Sequence, residues 1–318
     1  MKLKQLYSLV VKEGIAFDPR GRAAVNLDLQ RLKKQYEKLT PEEKKYFDQE
    51  RLNNPYDDTR ILNGNQEKEI ERILVGIDIE VGELLLADRL NDRQGKQIDL
   101  VMAHHPEGTP FANLYRVMRI QSDILYRVGV PITVAEGMMS TRISEIHRRL
   151  MPVNHMRVTD AAKILDFAFI CVHTAADNAV TSHLTRIFEK EKPDTVEEVV
   201  EILQNIPEYR VAREENAGPR MIHGKLKNRA GKVFVDMTGG TEGAKDVFEK
   251  LAAQGIGTMV CMHLSEEHFK KAQKEHINIV IAGHISSDNL GINLILDKIN
   301  KRSKIEIISC SGFRRITR

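Results

Sequence analysis

The apolar run Ile98-Asp99-Leu100-Val101-Met102-Ala103 ends in His104-His105-Pro106, and the run Ile277 to Gly283 ends in His284 with Asp288 four residues on. A third run, Phe167 to Val172, ends in His173, with Asp177 again four residues on. Neutral imidazole is the commonest protein metal ligand. Imidazole and carboxylate without thiolate favour zinc, manganese, iron, cobalt or nickel. Apolar runs ending in such groups suit the rim of an α/β sheet, where these folds bind ligands. Neighbouring side chains leave a strand on opposite faces. Pro106 breaks that geometry, so His104 and His105 could each address a different ion of a pair. His284 and Asp288 share one face if a helix begins at the Gly-His turn. Two ions about 3.5–4 Å apart can activate one bridging water and clamp a leaving oxygen. Each motif alone also fits a strand-ending turn or a hydrogen-bonded core histidine. Their recurrence at strand ends favours a metal site.

Other residues carry weaker signals. His263 and His268 follow the strand ending at Met262; the favoured reading is a solvated helix start, the other an approach of His263 to the metal site. Glu107 and Glu136 lie near strand ends, as proton carriers or solvated turn carboxylates. Gly239-Gly240-Thr241-Glu242-Gly243, at an expected helix start, is a strand-to-helix turn or a phosphate cradle. Cys171, Cys261 and Cys310 include no Cys-x-x-Cys pair, which argues against a thiolate zinc knuckle.

The elements that must position these groups alternate. Strands are expected at 73–79, 98–103, 167–172, 232–237, 257–262 and 277–283, and helices at 81–91, 111–128, 195–204 and 244–254. This pattern predicts an α/β fold with a largely parallel sheet flanked by helices. Residues 1–56 read as a helical N-terminal extension, packed on the protein's own core in the favoured reading and a partner or oligomer contact in the other, with an amphipathic stretch from Leu27 to Tyr46 and a capping box at Thr40-Pro41-Glu42-Glu43. Asn53 to Asp58 is a turn-rich boundary. Residues 57–318 form the α/β region, and 138–163 read as a helical insertion.

With 318 residues the chain can bury a substantial core. A net charge of +3, with basic and acidic residues interleaved, offers no basic stripe for nucleic acid. No apolar stretch approaches a membrane span, and the first residues lack a signal-peptide core. The expected location is cytoplasmic, with no membrane partner.

Three motifs then carry a resemblance: Ala103-His104-His105-Pro106, His173-Thr174-Ala175-Ala176-Asp177, and Gly283-His284 through Asp288 to Gly291. Asp57-Asp58-Thr59-Arg60-Ile61-Leu62-Asn63-Gly64-Asn65 is a fainter fourth. The chain resembles the Nif-three-like dinuclear-metal hexameric proteins, the GTP cyclohydrolase type 2-like family, from about Asp57 to Ile299. The resemblance implies α/β architecture with mixed sheets and two divalent ions held by His104, His105, Asp177, His284 and Asp288. Asp288 stands where the family has a bridging glutamate, and Ala175-Ala176 where it usually has Asn-Leu. Homo-oligomerisation, possibly to a hexamer, is also implied. The expected function is metal-dependent hydrolysis, GTP cyclohydrolase-like or of a phosphoester or nucleotide, through a metal-bridging hydroxide. The alternative is a non-catalytic protein that stores, delivers or senses metal, or a binding scaffold.

Overall fold

The six apolar runs become six of nine strands, in a computed structural model that describes residues 1–94 and 97–318. They are β1 (Thr59–Asn63), β2 (Arg72–Gly76), β3 (Leu100–Ala103), β4 (Ala168–Val172), β5 (Arg220–His223), β6 (Lys232–Asp236), β7 (Ile256–Cys261), β8 (Asn278–Ile281) and β9 (Glu306–Cys310). Two sheets result, ordered β1-β4-β3-β2-β9 and β5-β8-β7-β6. In the first, β1 runs antiparallel to β4 and the other pairs are parallel. In the second, β5 runs antiparallel to β8 and the rest are parallel. Every residue of β2, β3 and β4 is buried. That is why these strands read as unbroken apolar runs: a parallel strand covered on both faces has no polar side.

Two long helices, Thr174–Glu191 and His284–Asn300, follow β4 and β8 and pack closely against each other. Gly291 makes the approach possible, since a Cβ there would lie 2.4 Å from the Ala176 carbonyl oxygen. The chain is thus α/β, with mixed sheets flanked by helices.

The N-terminal region is helical: Leu3–Phe17, Arg22–Glu37, Pro41–Lys45 and a short 3-10 turn, Gln49–Leu52. The Thr40 capping box forms, with Glu43 N–H donating to Thr40 Oγ1 at 3.2 Å and Thr40 N–H to the Glu43 carboxylate at 2.8 Å. Helix Leu3–Phe17 is core rather than appendage. Leu3, Leu6 and Val10 are fully buried in one cluster with Ala175, Ala179, Ile292 and Leu296. Each such side chain contributes about 1.5–3 kcal/mol relative to exposure. A buried polar chain reinforces the contact. Asp18 accepts from Arg20 and Tyr56 at 2.9 Å and from Asn178 at 3.4 Å, while Asn178 accepts from Thr238 at 2.7 Å. The region 138–163 forms helix Ile132–Leu150 and helix Arg157–Ile164, and the helix expected over 111–128 is broken into three short pieces.

Candidate metal centre

Strand β3 ends where the His104 and His105 amides donate to the carbonyls of Gly76 and Ile77 at 3.0 Å. The following Pro106 ends the ladder. Both rings then turn to one side, with centroids 5.1 Å apart. Strand β4 delivers His173 as the N-cap of helix Thr174–Glu191, with Asp177 in its first turn. Strand β8 delivers Gly283, whose φ of +108° and contact with Ser286 exclude a side chain. His284 then opens the second long helix and Asp288 lies one turn below it.

These groups converge. Donor atoms of His104, Asp177 and Asp288 lie within 4.8 Å of one another, as do those of His105, His284 and Asp288, and those of His104, His105 and His173. Asp288 Oδ1 is 3.3 Å from His104 Nε2, whereas Oδ2 is 3.6 Å from His105 Nε2 and 3.7 Å from His284 Nε2. His104 Nε2 is also 3.4 Å from Asp177 Oδ1.

Hydrogen bonds fix which ring nitrogens face inward. His104 Nδ1 lies 3.0 Å from the Val172 carbonyl oxygen, which can only accept, so Nδ1 carries the proton. His105 Nδ1 meets Asp78 Oδ1 at 2.6 Å and His173 Nδ1 meets Asp58 Oδ2 at 2.8 Å. Asp58 also accepts from the Thr174 hydroxyl at 2.6 Å. All three rings therefore aim Nε2 at the centre, held by the outer hydrogen bonds that orient metal-ligating histidines.

His104 Nε2, Asp177 Oδ1 and both oxygens of Asp288 are buried without any hydrogen-bond partner. Four converging acceptors without a donor call for a cation. The donor set, imidazole and carboxylate only, fits a divalent ion. Without metal a proton must serve. Burial alone would depress His104, but the charges of Asp288 and Asp177 outweigh it and lift the imidazole well above its usual value. Burial would raise Asp288, yet His104 and His105 hold it far below the carboxylate range. Burial dominates at His284 and lowers it. The buried His and Asp groups are thus able to hold metal.

A cavity of about 380 Å³ opens from these residues toward the second sheet. His263 lines it, half exposed, with its ring 4.9 Å from that of His284. His268 is not solvated: it is buried, its Nε2 lies 3.0 Å from the Gly243 carbonyl oxygen, and its Nδ1 lies 2.7 Å from Ser265 Oγ. Glu107 lines the cavity, and burial together with Glu80 and Asp78 pushes its pKa up to about 7. Glu136 lies elsewhere, exposed on helix Ile132–Leu150 and facing a different cavity. The glycine-rich loop does not open a helix, since the next helix begins at Val247. It is clamped instead: Gln121 donates to the carbonyls of Gly239 and Thr241 at 2.8 and 2.7 Å, and Arg142 to that of Glu242 at 3.1 Å.

The orienting roles of Asp58 and Asp78 were not assigned from the sequence. Asp58 stands in the faint Asp57-Asp58-Thr59 motif, which was its one local signal. No helix among the described residues is long and apolar enough to cross a membrane.

No family sequence model matches the chain, nor does any curated protein. Solved structures do. A NIF3 superfamily protein from Sphaerobacter thermophilus is 25% identical with a TM-score of 0.70, covering 81% of this chain and 92% of that one. Reduced HcgD from Methanocaldococcus jannaschii is 16% identical with a TM-score of 0.49, over 84% of this chain and 94% of that one. A Bacillus cereus protein related to NIF3 is 12% identical with a TM-score of 0.41, over 82% and 92%. With its three histidine motifs brought to one site, this chain shares the fold of the NIF3 superfamily protein from Sphaerobacter thermophilus.

Proposed function

We propose that this protein is a dinuclear-metal hydrolase. One ion would be held by His104, Asp177 and Asp288, the other by His105, His284 and Asp288. The observation that carries this reading is the division of Asp288: Oδ1 faces the buried group and Oδ2 the more open one, both without hydrogen bonds. Aspartate is a methylene shorter than the family's glutamate, and its two oxygens nonetheless address both groups.

Paired ions, when bound, lower the pKa of a water and neutralise charge developing on a leaving oxygen. The chain's own residues supply the rest. Asp58 and Asp78 orient imidazoles, and Glu107, with its raised pKa at the cavity wall, can hold or release a proton near neutral pH. His105 and His284 are 26% and 41% exposed, against 1% for His104, so substrate reaches the second group more readily. The substrate class is a phosphoester, a nucleotide or a cyclic amidine of the GTP cyclohydrolase type.

Metal content by mass spectrometry, on gently purified protein and on a His104→Ala/His284→Ala double variant, tests the centre. About two equivalents per chain, lost in the variant, support it. Turnover of a phosphoester or cyclic amidine that vanishes on chelation supports hydrolysis. Silence across both substrate panels, with metal loaded, counts for a storage or sensing role instead.

A further inference from the structure

The wall of the cavity facing the second sheet has chemistry that the metal groups leave unused. Asp236, the last residue of β6, lines it with Glu242, Met237, Met259, Met262 and Phe248. Asp236 is largely covered yet has no hydrogen-bond or ion-pair partner among the described residues. Burial, and after it the charge of Glu242, pushes its pKa up to about 6. Near neutral pH it is therefore a mostly ionised acceptor, partly open to the cavity and without a partner in the protein. Glu242 is already engaged: it accepts from the Ser265 N–H at 2.5 Å and lies 3.5 Å from His268 Nδ1. The clamp by Gln121 and Arg142 fixes the lip between the two carboxylates. Thioether sulfurs pack well on aromatic rings, and the apolar lining here comes from the rims of two core clusters, Met259 with Phe248 in one and Met237 with Met262 in the other. A cavity of about 380 Å³ has room for a small molecule spanning both ends.

We propose that this end of the cavity takes an aromatic organic cation, with its amidinium or ammonium group on Asp236 and its ring against the methionines. The remainder of the molecule extends to the histidine groups. The proposal rests on the hydrolase reading only for that last contact, and it narrows the substrate class to compounds whose aromatic part is cationic.

Calorimetric titration of the full chain, both metal-free and metal-loaded, with benzamidine and its neutral isostere benzamide tests this. Benzamidine should saturate the wild type in both forms, and benzamide should bind at least about tenfold more weakly. Asp236→Asn should remove that preference, while Glu242→Gln should reduce it less because Ser265 already engages that carboxylate. Thermal unfolding of Asp236→Asn at or above the wild-type temperature shows that the loss is not misfolding. Equal affinity for the two probes, unchanged preference in Asp236→Asn, or no saturable benzamidine binding overturns the proposal. Metal content is a separate readout, so a chain that binds benzamidine but no metal refutes the hydrolase and leaves the cation end standing.

Discussion

The two sheets are built to one plan and carry different chemistry. The order β1-β4-β3-β2 with an antiparallel first strand recurs as β5-β8-β7-β6, and only the first sheet gains an extra edge, β9. In each, the strand beside the antiparallel one leads into a long helix with histidine at its start and aspartate four residues later. These are His173 and Asp177 after β4, and His284 and Asp288 after β8. The next strand inward separates them. After β3 come His104 and His105, whose rings are tethered by Val172 and Asp78. After β7 come Met262 and His263, and His263 belongs to none of the metal-competent groups. Topology thus fixes where side chains can meet, and the residue types at the strand ends decide which end of the cavity is able to hold metal.

The comparison breaks most visibly at Asp288, the one residue common to the two proposed ion groups. Asp288→Ala should take metal content from about two equivalents to background. His105→Ala and His284→Ala should each remove about one, because the His104 and Asp177 group stays buried and complete. Equal loss in all three variants would mean a single ion rather than a pair.

The next largest effect concerns the helices preceding both sheets. Leu6→Ala, in the cluster beneath the first sheet, should destabilise the protein by about 2–5 kcal/mol in denaturant unfolding. Leu32→Ala, on the half-covered helix Arg22–Glu37, should stay below about 1 kcal/mol. Similar costs would make the whole N-terminal region one structural unit with the core.

A smaller effect sharpens the contrast between the sheet ends. The folded-state pKa of Asp236 is raised from 3.8 to about 6, so the native state holds this proton more tightly than the unfolded chain does. Stability from it is present at low pH and is lost as pH rises through that window. Asp236→Asn never ionises. It should therefore unfold a few degrees above wild type beyond pH 6, on the order of 1–2 kcal/mol, and match it below 3.8. No gain at neutral pH would mean that Asp236 is solvated after all.

The strand-end histidines were legible because their signal is local: an apolar run, an imidazole, and a carboxylate one helical turn on. Their supports were not, because they depend on register. The pairing of β1 with β4 carries Asp58 to His173 across 115 residues of sequence, and Asp78 reaches His105 only because β2 lies beside β3. Strands β1, β5 and β9 escaped notice for a related reason. They are partly exposed edges without a long apolar run, and their burial alternates, is broken or fades along the strand. The favoured reading of the N-terminal arm packs it on the protein's own core, and helix Leu3–Phe17 does pack there, but amphipathic spacing does not say which surface covers it. Glu136 was misplaced because proximity in sequence to the end of an apolar stretch says nothing about the helix that actually carries it.

The least perturbing substitution is also the most discriminating between the halves. His263 follows β7 as His105 follows β3, and its ring touches that of His284, so a symmetric site would use both. Their surroundings argue otherwise. His105 has its Nδ1 fixed by Asp78 at 2.6 Å and its Nε2 turned to Asp288, whereas His263 Nδ1 sits 3.8 Å from Glu242 with half its side chain in solvent. An imidazole without a tether loses rotational freedom on ligation that His105 has already given up on folding. His263→Ala should therefore leave metal content unchanged and move the unfolding midpoint by no more than an exposed substitution does, within about 0.5 kcal/mol. Loss of an ion in His263→Ala, comparable to that in His105→Ala, would mean that the second sheet also ligates metal and that the chemical division of the cavity is wrong.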